Sequence, residues 1–346
     1  YEQAQAAIDG ETDDVTGPIM EAILYPLWNA YHAMLKGRER RAPLAINSAE
    51  RRIRMTPEGD IASIEPRASL EAHRLIEEMM IQANVCAAEA LEQKKTPLIY
   101  RVHDTPSQEK IFNLADFLST IGKPWNKGEP GTTKRFNKLL DETRDTEHAD
   151  VVNEVVLRTQ MQAIYSPENV GHFGLNLDRY AHFTSPIRRY PDLLVHRAIK
   201  HVLSGQPLAK FLYTPRQMES LSLQCSERAR RADEAEREVD ERYRAAWMEQ
   251  HVGREFDGVI SGVTSFGLFV ELDQSKVNGL VHVTQLPNDF YHFDPIRRML
   301  SGERAGRGGQ GRDRFFGDEL VDRVGEAEAG GHGQCSVRML SALRSS

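Results

Sequence analysis

The sequence predicts an α+β protein in two unlike parts, a mainly helical run followed by a small antiparallel barrel. Three observations predict it. Apolar residues recur at helical spacing in most segments up to about residue 250. From Glu255 the pattern changes to alternation, with glycine and asparagine at the breaks. Between them, Ser226 to Arg244 mixes both charge signs so densely that it reads as one solvated helix.

Composition sets the outer limits. The 346 residues allow two or three domains with a real core. Charged residues make up 27% and hydrophobic ones 40%, a soluble, globular balance. The net charge of −7 argues against a broad coat of nucleic acid, so any such ligand must sit in local basic clefts. Cys86, Cys225 and Cys335 are odd in number and far apart, which excludes a disulfide framework or zinc spacing and points to a reducing cytoplasm. No apolar run reaches the length of a membrane span, and no signal peptide opens the chain. A start at Tyr1 without methionine suggests a fragment or a processed product.

In chain order, residues 12–36 read as a long helix capped by Thr12 or Asp13, with Ile19, Ile23, Leu27, Tyr31, Met34 and Leu35 as its apolar stripe. Asp13 and Asp14 are read as an acidic first turn matching the helix dipole rather than as metal ligands. Ala42 to Pro66 alternates around a Pro57-Glu58-Gly59-Asp60 turn, a hairpin expected at the edge of a larger sheet whose other strands are not in this sequence. Residues 69–93 form a second helix whose face is read as Leu75, Met79, Ala83, Cys86, Ala87 and Ala90. Leu98 to His103 is a strand, and Pro106-Ser107-Gln108-Glu109 starts a helix carrying Ile111, Leu114, Phe117 and Leu118. Helices over 132–143 and roughly 147–164 follow, then a glycine-bounded strand start at Gly171-His172-Phe173-Gly174. After Gly205 comes a linker with Pro207 and Pro215, then one helix over 216–250.

The last part opens with strands from Glu255 to Thr264 and from Leu268 to Leu272, followed by an Asn278-Gly279 hairpin signal and Leu280-Val281-His282-Val283. This order of Gly-x-Val, Phe-Gly-x-Phe-Val and Gly-Leu-Val-His is the pattern of an OB fold of the ribosomal-protein type. Phe256, Phe266, Phe269 and His282 are its expected stacking platform for RNA. Ten of the 25 glycines fall between Ser301 and Ser346. That tail is expected to be aberrant or poorly ordered, and the barrel incompletely closed.

One stretch concentrates chemistry: His182-Phe183-Thr184-Ser185-Pro186-Ile187-Arg188-Arg189-Tyr190-Pro191-Asp192. Ser185 and Pro186 read as N-cap and first helical residue. Two arginines in a first turn oppose the helix dipole, so they suggest a bound anion, with free N–H groups and guanidinium forks aimed at one phosphate. Pro191 kinks or restarts the helix. Leu193, Leu194, Ala198, Ile199, Val202 and Leu203 then back the turn until Gly205. The plain alternative is a solvated pair of arginines neutralised by Asp192 or another acid. His172 and His182 lack carboxylates at ligand spacing and read as hydrogen-bonding groups, not metal ligands.

The run GHFGLNLDRYAHFTSPIRRYPDLLVHRAIK, residues 171–200, closely resembles the end of the catalytic domain of the ribonuclease II / ribonuclease R family, processive hydrolytic exoribonucleases working from the 3′ end. The resemblance extends from Tyr1 to about residue 300. It implies the C-terminal part of an RNB-type catalytic domain over 1–206, a charged helical connector over 207–250, the OB-fold RNA-binding domain over 251–300 and the tail over 301–346. It implies that Arg188 contacts the scissile phosphate, that Arg189, Tyr190 and His182 shape the phosphate channel, and that Glu77 lies near the RNA path; Ser185 is expected among the RNA-binding residues. Such an enzyme releases 5′-nucleoside monophosphates from single-stranded RNA with Mg²⁺, as a cytoplasmic monomer without a membrane partner. The family's aspartate cluster has no counterpart here, so the metal ligands are expected upstream of Tyr1 and the chain alone is expected to be inactive. The competing readings are an RNA-binding protein without hydrolytic activity and a purely structural helical protein.

Overall fold

The computed structural model describes residues 1–46, 51–66, 69–146, 148–272, 275, 277–286, 289–295, 299–303, 314–316 and 335–338. The chain opens with a short helix, α1 (Glu2–Ile8). Asp13 then closes a capping turn by accepting hydrogen bonds from the Val15 and Thr16 amides and the Thr16 hydroxyl, which occupies it as a turn-former. The helix expected over 12–36 is composite. A 3₁₀ turn (Gly17–Ile19) leads into a π turn (Met20–Leu24) and then into α2 (Tyr25–Arg41). Pro26 is the physical reason: it has no N–H to donate and its ring crowds the carbonyl four residues back, and a widened turn before it relieves both. Arg38, Arg40 and Arg41 in the last turn suit the dipole and carry the helix past Gly37.

Strands β1 (Arg51–Met55) and β2 (Ile61–Pro66) form the expected hairpin, a two-stranded sheet among the described residues. Two strands cannot bury a face alone. Here Ile53, Ile61 and Ile64 pack on Trp247 and Met248 at the end of the long helix and on Leu272 and Val277 of the barrel.

Helix α3 (Glu71–Gln93) buries Leu75, Glu78, Ile81, Asn84, Val85, Ala88 and Leu91, while Cys86 and Ala90 are exposed. The buried face is therefore rotated from the one read off the apolar residues, because two polar side chains sit on it. Its alanines pack closely on Val195 and Ala198 of α7 (Tyr190–Leu203), around β3 (Tyr100–Val102). Strand β3 pairs antiparallel with β4 (Ile164–Ser166), a strand lying where the sequence suggests the end of a helix. Helices α4 (Gln108–Thr120), α5 (Thr133–Thr143) and α6 (Ala149–Thr159) enclose a separate apolar core around Phe136, Leu118, Val152 and Val156. The last of them stops five residues earlier than expected. Gly171 to Gly174 is a loop with isolated bridges, not a strand. Gly171 has φ +79°, and a Cβ on Gly174 would stand 2.9 Å from His103 Nδ1, so both positions require glycine.

Helix α8 (Pro215–Glu249) starts from a Thr214–Gln217 capping box with proline in its first turn and runs 35 residues. Its first turns pack Met218 on Leu194, Ile99 and Tyr165. Farther along, solvated pairs such as Arg242–Glu238 decorate it, each adding a few tenths of a kcal/mol.

Among the described residues the barrel has two sheets, ordered β11-β5-β6-β7 and β10-β9-β8. Strands β5 (Glu255–Thr264), β6 (Gly267–Leu272) and β7 (Asn278–His282) are antiparallel neighbours. Asn278 and Gly279 pair with Glu271 and Val270 inside the ladder, so the turn lies before them and not at them. Strands β8 (Tyr291–Asp294) and β9 (Met299–Gly302) follow. Two tail segments contribute strands against expectation. These are β10 (Arg314–Phe316), paired with β9, and β11 (Cys335–Arg338), paired with β5. The remainder of the expected aberrant tail, 304–313, 317–334 and 339–346, lies outside the described residues.

Candidate nucleic-acid interface

The arginine stretch does not begin a helix at Ser185. The Ser185 carbonyl accepts from the Arg188 and Arg189 amides at 3.3 and 3.0 Å, closing one isolated turn. Arg189 is extended, and α7 starts after it with Pro191 in its first turn. Pro191 cannot donate back into the preceding turn, so the two elements separate there.

Side chains from distant elements hold this turn. Asn84 of α3 accepts from the Phe183 and Thr184 amides at 2.8 and 3.2 Å and donates to the Tyr180 hydroxyl at 3.0 Å. Asp192, with 0% of its side chain exposed, accepts from the Ser185 amide and from Arg189 Nη2, both at 2.8 Å. The two arginines therefore differ in kind. Arg189 is mostly buried and paired with Asp192, the partner the plain reading named, although that reading had it solvated. Arg188 is exposed and makes no side-chain hydrogen bond or ion pair among the described residues.

Behind the turn lies a cluster of rings. His182 Nδ1 is hydrogen bonded to the Tyr165 hydroxyl at 2.9 Å, and its ring meets Tyr180 edge-on at 5.6 Å. His172 meets Tyr180 on one side and His103 on the other, both at 5.2 Å. Arg101 of β3 lies 4.8 Å over the Tyr165 ring. Burial, then the charges of Arg189 and Arg101, push His182 down to about 2, and burial with His103 and Arg101 pushes His172 down to about 3. Both imidazoles are thus neutral at physiological pH, surrounded by permanent cations. Such a set attracts an anion. It does not fit a magnesium ion, which takes oxygen ligands, and the described residues contain no group of three or more His, Cys, Asp or Glu able to hold a metal.

The other expected residues fall in several places. Tyr190 is exposed on the first turn of α7, its hydroxyl accepting from Arg197 at 3.3 Å. Glu77 is exposed on α3 and makes no hydrogen bond or ion pair among the described residues. The neighbouring Glu78 is buried and pairs with Arg38 and, at 3.6 Å, with Arg41. On the barrel, Leu268 and Val270 point inward, so alternation turns Phe269 outward opposite Leu280. Phe266 meets Phe269 edge-on at 6.1 Å, and His282 pairs across from Gly267 beside them. Phe256 shares the parity of Ile260 and packs with Trp247, Leu272 and Val277, away from that face.

Arg101, Tyr165, Tyr180 and Asn84 surround the turn and its rings but were not singled out from the sequence. The Tyr100-Arg101-x-His103 run was the available signal, since an arginine on a short strand flanked by buried residues has no obvious partner.

Comparison with known proteins follows this division. Residues 1–205 match the RNB domain model and residues 249–305 the S1 RNA binding domain model. Ribonuclease R of Vibrio cholerae serotype O1 is 41% identical over 293 residues, 82% of this chain and 36% of that protein. Ribonuclease R of Escherichia coli K12 is 42% identical over 292 residues, again 82% and 36%. The chain thus spans little more than a third of the curated relatives it matches. Among solved structures, the apo form of Mycoplasma genitalium RNase R superposes with a TM-score of 0.82 at 25% identity, covering 91% of this chain and 50% of that one. The same protein in complex with ribose methylated single-stranded RNA gives 0.79. With RNB and S1 domains in this order and relatives at this identity, the chain belongs to the ribonuclease II / ribonuclease R family.

Proposed function

We propose that the chain is the phosphate-gripping part of a processive, hydrolytic 3′-to-5′ exoribonuclease that degrades single-stranded RNA to 5′-nucleoside monophosphates. The observation that carries this reading is the free Arg188 guanidinium. It stands on a turn fixed by Asn84 and Asp192, beside a neutral imidazole, on the edge of a cationic cluster.

Phosphodiester hydrolysis builds negative charge on the phosphoryl oxygens. A preorganised guanidinium stabilises that charge without having to reorganise during the reaction. Arg188 has this role; Arg189, Ser185 and His182 hold its turn and line the channel, with Tyr190 at the rim. Phe266, Phe269 and His282 take bases of the same strand by stacking. Glu77, exposed on α3, lies near the RNA path on this reading. Mg²⁺ is the proposed cofactor of the whole enzyme, and the described residues hold no group able to bind it. The proposed setting is the cytoplasm, as a monomer with RNA as partner.

The purified chain is expected to bind single-stranded oligoadenylate, more tightly at low salt, yet to leave it intact when Mg²⁺ is added, as followed on denaturing gels. Robust degradation would overturn the division of labour proposed here. No binding even at low salt would leave a structural role only.

A further inference from the structure

Of the three arginines around His182, Arg189 has a buried counter-ion and Arg188 faces solvent. Arg101 is in neither situation. Its side chain is half-buried on the Tyr165 ring, with Arg189 and Tyr180 close by. Among the described residues it makes no side-chain hydrogen bond and no ion pair; Asp233 of α8 acts on it only through space. Its nitrogens still reach solvent, but withdrawing part of a guanidinium from water without a paired anion carries a cost. Proteins ordinarily offset that cost with a carboxylate, as this one does for Arg189. Stacking on Tyr165 holds the plane of Arg101 but leaves its N–H donors unused.

We propose that Arg101 is an RNA-phosphate-binding residue, seated on Tyr165 to take a second backbone phosphate of a strand whose first phosphate lies at Arg188. This rests on reading the Arg188 turn as an RNA site. The ligand chemistry follows from the surroundings. A guanidinium fork matches two phosphate oxygens. The adjacent His182, held neutral and hydrogen bonded to Tyr165, adds a dipole without adding a competing anion. Arg188, Arg189 and Arg101 all act on His182, so the cations outnumber the two carboxylates nearby, Asp192 already paired with Arg189 and Asp233 acting on Arg101 through space.

The test measures binding of the whole chain to single-stranded oligoadenylate, in EDTA, across a series of KCl concentrations. The variants are Arg101→Gln, Arg101→Lys, Arg188→Gln and the double Gln variant. Each phosphate contact contributes about 0.7 to the slope of log affinity against log salt for a single strand. Arg101→Gln is expected to weaken binding about fivefold near 0.1 M salt and to flatten the slope by about 0.7. Arg101→Lys should keep the slope, and the double variant should flatten it by about 1.4. Arg101→Met, which keeps an unbranched stem over the Tyr165 ring, replaces the Gln variant if thermal melting shows the latter misfolded. An unchanged slope in Arg101→Gln or Met, with a flattened slope in Arg188→Gln, would remove Arg101 from the strand while leaving the Arg188 reading intact. A double variant no flatter than either single one would mean one shared phosphate and overturn the second site. A wild-type chain that fails to bind would defeat the underlying reading itself.

Discussion

On the proposed reading, the turn at Arg188 and the outer face of the barrel would hold RNA by opposite means. At the turn, charge is displayed on a backbone that buried hydrogen bonds fix from below: Asn84 to the 183 and 184 amides, Asp192 to the 185 amide. On the barrel, the exposed groups are rings, Phe266 at 46% exposure with Phe269 and His282 near it, and the only scaffold they need is the strand ladder. The difference teaches where each surface is vulnerable. The turn depends on a few irreplaceable partners and on salt. The ring face depends on area and tolerates salt.

The largest expected effect is on stability at the turn. Asp192→Ala leaves Arg189 buried without its counter-ion and the Ser185 amide unpaired, which should cost about 3–5 kcal/mol. Chemical denaturation of the 346-residue chain measures it, and a loss below about 1 kcal/mol would show that the turn does not depend on this pair. Next comes catalysis. In a longer protein carrying this segment and the metal ligands, Arg188→Ala should lower the hydrolysis rate about 10²–10³-fold while changing RNA affinity much less. Single-turnover kinetics separates the two, and unchanged turnover would take Arg188 out of the reaction. The smallest effect sharpens the comparison from the other side. Phe266→Ala should weaken RNA binding by about 1–3 kcal/mol through lost stacking and leave the salt slope as it was. A flattened slope there would mean that the barrel also works by charge.

Much of the fold is legible in the chain because its signals are local. Ser107 caps α4, Thr214 with Gln217 boxes the start of α8, and the alternation of Leu268 and Val270 sets the barrel face. Where local reading misleads, a non-local term decides. The buried face of α3 includes Glu78 and Asn84, which hydropathy assigns to solvent; a salt bridge from α2 and backbone amides about a hundred residues away make their burial tolerable. Phe256 looks like a platform residue by type, yet strand parity and the packing of Trp247 turn it into core.

The sequence by itself determined most of the helices, the opening strands of the barrel and the location of the arginine turn, since capping, periodicity and proline act over a few residues. Only the tertiary structure decided which of two adjacent arginines is free. That choice rests on a carboxylate buried three residues on, whose burial depends on the packing of α7 against α3 and α8. It likewise decided that Arg101, Tyr165 and His182, far apart in the chain, converge on one cationic edge, because charge pairing depends on distance in space and not on separation in sequence.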